Sequence, residues 1–255
     1  MHLRHLIFSV KFTFLGVFGV FMAFTANSFE EGKNFGFDVY GYEQGLQNPL
    51  VKWVSETSQG RLWVATDGGV FRYDGQRIIE LKDEQDNSMD YAKSVHFDNR
   101  PGKNILYIST DSGFCYLNLD NVQDIERAEW KKIDKYTPET GPEIDLAFPK
   151  AIFQDSSGQV WFSDNNAIYN FSFESEKLNR FSFDHLDSGV DYFRSFSFVE
   201  LDDGRLMASS FDGIIFFYDP EKNTFEEIKT SGMIDEVYWI LSLGNSQVLI
   251  GGKEG

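Results

Sequence analysis

Cysteine is almost missing from this 255-residue chain. Cys115 stands alone, which excludes an intrachain disulfide and any thiolate cage for a metal. Its place in the strand-like run 113–117 reads as a small core residue, with pairing between chains as the alternative in an exported protein. Histidine is equally sparse, limited to His2, His5, His96 and His185. None has a partner at metal-ligand spacing. His96 alternates with apolar neighbours and reads as structural, and His185 follows a strand in a polar loop. Basic residues are outnumbered, 23 against 40 acids, for a net charge of −17. That deficit argues against generic nucleic-acid binding, whose electrostatic term needs Lys and Arg. The acidity itself reads as a solubility device.

Other absences narrow the chemistry. No Gly-rich phosphate loop precedes a helix, and no Gly-x-Ser-x-Gly elbow occurs. The acid pairs Asp202-Asp203 and Glu226-Glu227 fall in a turn and on an outer strand, where solvated side chains are the simpler reading than a glycosidase pair. Residues 164–166 begin a calcium-loop pattern, but Ile168 stands where the third ligand belongs. The sequence therefore assigns no catalytic residue, no metal and no cofactor. Past residue 30 no long 3.6-residue apolar period exists, which excludes a helical solenoid.

The longest apolar run, 12–24, is too short for the ~20 residues a membrane helix needs. It follows a start carrying Arg4 and Lys11 without an acid, and it precedes Ala26-Asn27-Ser28. A basic start, an apolar stretch and small residues describe a secretory signal peptide over 1–28. Cleavage is expected after Ser28, with Ala26 as the competing site and an uncleaved anchor as the second reading. The chain is thus expected to be exported and periplasmic.

What is abundant is aromatic, 16% of residues with 26 Phe, 11 Tyr and 5 Trp, together with 22 Gly. These residues recur in phase. Trp63, Tyr107, Trp161, Met207 and Leu249 sit in copies of one pattern, separated by 44, 54, 46 and 42 residues. Six positions after each stand Gly69, Gly113, Ala167, Gly213 and Gly255, which predicts a turn with positive φ or a close backbone approach, and a different turn at Ala167. Nine positions before four of the key residues lies an apolar residue: Val54, Ile152, Phe198 and Ile240. In the second copy this distance is longer, because 99–103 are inserted. Turn residues separate the two runs, and a further strand closes each unit.

Each unit therefore predicts four antiparallel strands. Four strands per repeat at this period is the signature of a β-propeller. The fold class is all-β, an incomplete propeller of four full blades with partial blades at each end. The blades are expected at 50–82, 91–134, 148–184 and 193–229, with a partial one at 233–255. Residues 29–49 form a lead-in, in which 37–42 read as a lone outer strand. A sheet at the end of such a series leaves an apolar face and an edge bare. The sequence therefore reads as a fragment of a longer protein, and a five-bladed ring completed by the N-terminal strand is the alternative.

Gly45-Leu46-Gln47-Asn48, 51–56, Gly60 to Thr66, Gly69-Val70 and Arg72-Tyr73-Asp74 closely resemble the two-component regulator propeller repeat. The match weakens at 155–169 and 204–219, and further at 105–117. Departures are Tyr107, Met207 and Leu249 in place of Trp, and Ala167 in place of Gly. The resemblance implies a periplasmic ligand-sensing region of a membrane receptor, with a small molecule or a glycan as ligand. It implies further blades as partners, and an output module, a histidine kinase or a diguanylate cyclase, elsewhere in the full-length protein. A homodimer is left open. Two other classes stay open, a secreted propeller enzyme (a lyase or a glycan-active one) and a scaffold for protein contacts. Trp53 and Trp239 lie in inner strands, whose ends line a propeller's channel. They are the candidates for stacking on a ligand, with core packing as the other reading.

Overall fold

In the computed structural model the described residues are 38–89, 91–146, 148–165, 167–183, 196–228 and 236–253. Residues from Tyr40 onward form one unit, and of the segment before it only Asp38 and Val39 are described. The expected signal peptide, His185 and Gly255 lie outside the described residues.

The first sheet pairs β1 (Val51–Glu56), β2 (Leu62–Thr66), β3 (Gly69–Tyr73) and β4 (Ile78–Glu80) in that order, all antiparallel. The second repeats it with β5 (Ala92–Phe97), β6 (Ile105–Thr110), β7 (Gly113–Asn118) and β8 (Lys131–Ile133). A small hairpin of β9 (Lys135–Tyr136) and β10 (Ile144–Asp145) then intervenes. It accounts for the longest step in the sequence period, between Tyr107 and Trp161, which the sequence did not explain. The third sheet holds β11 (Ile152–Gln154), β12 (Val160–Ser163), β13 (Ala167–Ser172) and β14 (Lys177–Ser182). The fourth holds β15 (Phe196–Glu200), β16 (Leu206–Ser210), β17 (Ile215–Asp219) and β18 (Thr224–Ile228). A fifth has two strands, β19 (Val237–Gly244) and β20 (Gln247–Gly252). This is an incomplete β-propeller.

Period-2 alternation gives each sheet two apolar faces, and neighbouring sheets cover them. Trp63, Ala65 and Val70 of the first sheet pack against Val95, Leu106 and Cys115 of the second. Tyr107 and Phe114 of the second meet Phe162 and Phe171 of the third, with the Phe114 and Phe162 rings stacked 4.3 Å apart. Trp161 of the third packs on Phe198 and Phe216 of the fourth, and Met207 of the fourth on Val237 and Ile240 of the fifth. The in-phase key residues thus always face the following sheet. Their exposure runs 1% for Trp63, 0% for Tyr107, 1% for Trp161, 5% for Met207 and then 55% for Leu249, which has no described sheet in front of it.

The turns follow local chemistry. Gly69, Gly113 and Gly213 have positive φ, and a Cβ on Gly113 would lie 2.7 Å from the Ile133 carbonyl oxygen. At Ala167 the turn closes another way. The Asp164 carboxylate accepts from the Ala167 N–H at 2.9 Å and from the Tyr169 hydroxyl at 2.9 Å, so no positive φ is needed there. The lone outer strand expected at 37–42 does not form in its described part. Residues 38–40 make no ladder and Tyr42–Gln44 is a 3-10 turn, its first N–H side satisfied when Gln44 Oε1 accepts from the Gly41 N–H. Leu46 is buried and Tyr40 meets Tyr73, hydroxyl to hydroxyl at 2.8 Å.

Candidate functional site at the inner-strand rim

The inner strands follow one another through side chain to backbone bonds. Ser55 Oγ accepts from the Phe97 N–H, Ser109 Oγ donates to the Lys150 carbonyl, and Ser163 Oγ accepts from the Phe196 N–H. The series bends back on itself, because Trp53 of the first inner strand touches Trp239 of the fifth, ring centroids 4.8 Å apart at 50°. The two Trp occupy the same phase, each one position before the in-phase apolar residue (Val54 and Ile240). In both strands the ladder is bulged at this point, between Val51 and Trp53 and between Val237 and Trp239, as it is in the second sheet between Ala92 and Ser94. A bulge increases local twist and re-aims a side chain. The second, third and fourth sheets carry Ser94, Ala151 and Ser197 at this phase, too small to reach a neighbour's ring. Trp53 is partly packed on the first core cluster, and Trp239 is 42% exposed.

Beside the Trp pair runs an arc of alternating charge. Lys52 and Lys93 bracket Asp67 at 3.1 and 3.4 Å, and Lys93 also reaches Asp111 at 3.2 Å. Hydrogen bonding to Lys52 is the main reason the Asp67 carboxyl is held below its ordinary range. Burial lowers the proton affinity of Lys150, which also feels Lys93, Asp111 and Asp164. These lysines share one phase, two positions before Val54, Val95 and Ile152. The sequence reading overlooked them, although the spacing is present in the chain. On the fifth sheet Phe211 lies beside Tyr238 at 5.8 Å, and Lys253 pairs with Glu236 at 2.9 Å next to them. The rim therefore offers exposed aromatic surface at Tyr238 and Trp239 and fixed alternating charge along Lys52, Asp67, Lys93 and Asp111.

The remaining singled-out residues lie elsewhere. His96 donates from Nε2 to Gln154 Oε1 at 3.3 Å and stacks on Tyr107, between the second and third sheets. Burial pushes its proton affinity below the ordinary value. Cys115 is buried, its thiol pushed up to about 12 by desolvation. Trp63, Tyr107, Trp161 and Met207 sit between sheets, whereas Gly69 and Gly113 close the turns that carry Asp67 and Asp111, and Gly213 closes the corresponding turn of the fourth sheet.

Residues 45–68 match the family model described as Two component regulator propeller. No curated protein matches the chain. Among solved structures, one described as the extracellular domain of a hybrid two component system, BT3049 from B. thetaiotaomicron, is similar with a TM-score of 0.65 at 21% identity, over 86% of this chain and 29% of that one. The corresponding domain of BT4673 from the same organism gives 0.61 at 14% identity, over 80% and 26%. Virginiamycin B lyase from Staphylococcus aureus gives 0.56 at 12% identity, over 79% and 63%. The chain spans less than a third of either two-component domain. At such identities the likeness is one of fold. Among the described residues no helix is long and apolar enough to cross a membrane. The partial β-propeller described here carries in its first blade, at residues 45–68, a repeat of the two-component regulator propeller family.

Proposed function

We propose that this chain is the ligand-sensing propeller region of an exported signal-transduction receptor, with the inner-strand rim as its sensing surface. The observation that carries this reading is the Trp53–Trp239 pair, placed by two bulges at the same phase of different blades. An exposed indole face beside fixed charges suits a ring-shaped small molecule such as a sugar. The reading as a sensor rather than an enzyme is supported by His96, which is bonded to Gln154 between blades instead of standing at the rim. Further blades of the same repeat are the natural cover for Leu249, which is exposed in the phase that other sheets bury, and for its exposed neighbours Leu241 and Leu243 on the fifth sheet.

The test is a titration with a panel of mono- and disaccharides, followed by tryptophan emission and melting temperature. The expected result is saturable binding by at least one sugar that weakens about tenfold or more in Trp239→Ala, the scale of one lost stacking contact. Binding indifferent to both Trp239→Ala and Trp53→Ala, or turnover of the bound sugar, would overturn the reading.

A further inference from the structure

A cleft of about 500 Å³ opens between the first and second sheets, at the end where β1 turns into β2. In a chain with 17 excess negative charges this cleft is lined by cations: Arg61, Arg72, Arg100 and Lys103, against the single acid Asp120. Two of those cations are already paired, Arg100 with Asp98 at 2.7 Å and Lys103 with Glu174 at 2.8 Å. Asp120 accepts from the Asn104 amide at 2.8 Å. Arg61 and Arg72 have no ion-pair partner among the described residues. The Arg72 Nε is buried without any hydrogen-bond partner, a cost for so polar a group. Its guanidinium is held below its ordinary proton affinity by burial first and by Arg61 second, with the charges of Asp74 and Asp124 acting the other way.

Comparison between blades shows what is missing. Three positions after the in-phase apolar residue, the third blade has Asp155 and the second Asp98. Asp155 accepts the indole N–H of Trp161 at 2.8 Å, and Asp98 receives the guanidinium of Arg100 on both oxygens. At this position the first blade has Thr57, whose hydroxyl is spent on the Arg61 backbone N–H at 3.1 Å. Trp63, the counterpart of Trp161, makes no such bond. It stands directly opposite Arg72 in the ladder, so both side chains share one face of the sheet. The indole donor that Asp155 serves in the third blade is thus present beside the Arg72 guanidinium, and the chain supplies no carboxylate at this position, as it supplies none in the fourth blade, where Leu201 stands.

We infer that the cleft between the first and second sheets is a binding site for a small organic carboxylate, held by the guanidinium groups of Arg61 and Arg72 and by the indole of Trp63. The bound carboxylate takes the place that Asp155 fills two blades on. Arginine forks match a planar carboxylate in two bonds, and a charge-assisted bond in a partly desolvated cleft is among the stronger polar contacts. Phe97, Leu119 and Ile125 supply apolar wall for the body of the molecule. The volume falls within the range of small-molecule sites. None of the cleft residues belongs to the rim with Trp53 and Trp239, so this inference stands or falls independently of the proposed sensing surface.

The experiment is isothermal titration of the full chain with benzoate and with its neutral counterpart benzamide. Benzoate is expected to bind saturably and benzamide at least about tenfold more weakly. Arg72→Gln should weaken benzoate about tenfold. Thr57→Asp supplies the carboxylate from the chain itself. It should abolish benzoate binding while leaving the melting temperature unchanged or raised, which separates site filling from unfolding. Trp239→Ala should leave benzoate binding as it is. Equal binding of the two probes, no saturation at ~10 mM benzoate, or undiminished binding in folded Thr57→Asp would each overturn the inference.

Discussion

Trp53 and Trp239 hold the same phase of the repeat in the first and fifth sheets, and their rings meet at 4.8 Å. The contact sits at a half-exposed rim, so its energetic share is that of an aromatic pair and not of a core residue. Trp239→Ala is expected to cost about 0.5–1.5 kcal/mol in denaturant unfolding and to shift Trp53 emission to the red as its ring gains water. Trp161→Ala, in contrast, removes a side chain 1% exposed together with its bond to Asp155, and should cost about 3–5 kcal/mol. Equal costs for the two variants would show that the rim contact organises the fold and does not merely decorate it.

Gly158 turns the third blade's inner hairpin with φ of +87°, and a Cβ there would fall 1.5 Å from the Arg100 Nη1. Arg100 cannot swing aside freely, because Asp98 holds its guanidinium at 2.7 to 3.2 Å. Gly204 occupies the equivalent turn of the fourth blade with φ of +82° and open space around it. Gly204→Ala should therefore cost only backbone strain, about 1–2 kcal/mol. Gly158→Ala must add the displacement of a paired guanidinium. Chemical denaturation of the two variants checks the order, and a Gly158→Ala no worse than Gly204→Ala would mean that Arg100 has another place to go.

Much of the fold was legible because it repeats. A strand that must face its neighbour imposes the same residue type at the same phase, and Trp63, Tyr107, Trp161 and Met207 declared that demand in the chain itself. The hairpin at Lys135–Tyr136 and Ile144–Asp145 was not legible, since it is an insertion that obeys no neighbour. Likewise 37–42 reads as a strand in the sequence, yet 38–40 join no ladder and Tyr42–Gln44 turns, and pairing is what makes a strand. The site was legible only in its aromatics. Lys52, Lys93 and Lys150 were in phase, yet charged surface residues are so common that their spacing carries no signal until the partners Asp67 and Asp111 are seen beside them. The cleft of Arg61 and Arg72 turns on Thr57, which stands where the second and third blades carry Asp98 and Asp155, and that difference has meaning only once Asp155 is seen bonded to the Trp161 indole.

His96 gives the fold a pH dependence of known sign. Burial lowers its proton affinity in the folded state below the ordinary 6.5. The unfolded chain then binds a proton at a pH where the folded one does not, so stability rises with pH through that window. The contribution is complete above 6.5 and is lost as pH falls toward the lowered folded value. Gln in place of His keeps a polar group near Gln154 but cannot titrate. Urea midpoints of wild type should fall between pH 7 and pH 5 more steeply than those of His96→Gln. A parallel pair of curves would show that His96 is protonated alike in both states.

Met207 and Leu249 occupy the same position in successive blades, and what differs is the sheet in front of them. Met207 is covered by Val237 and Ile240, while Leu249 stands 55% exposed beside Leu241 and Leu243. Lysine at 207 would bury an ammonium without a partner, a loss of several kcal/mol that a domain of ordinary stability does not survive. Lysine at 249 would meet water. Its effect on unfolding should stay within about 0.5 kcal/mol, and it should reduce self-association, because a charge now interrupts an exposed apolar face at a sheet edge. Thermal melts and light scattering of Met207→Lys and Leu249→Lys decide the matter. If Leu249→Lys proved as damaging as Met207→Lys, the fifth sheet's outer face would have to be covered in solution, by a second copy of the chain or by part of its own, and the lysine scan would then map that cover.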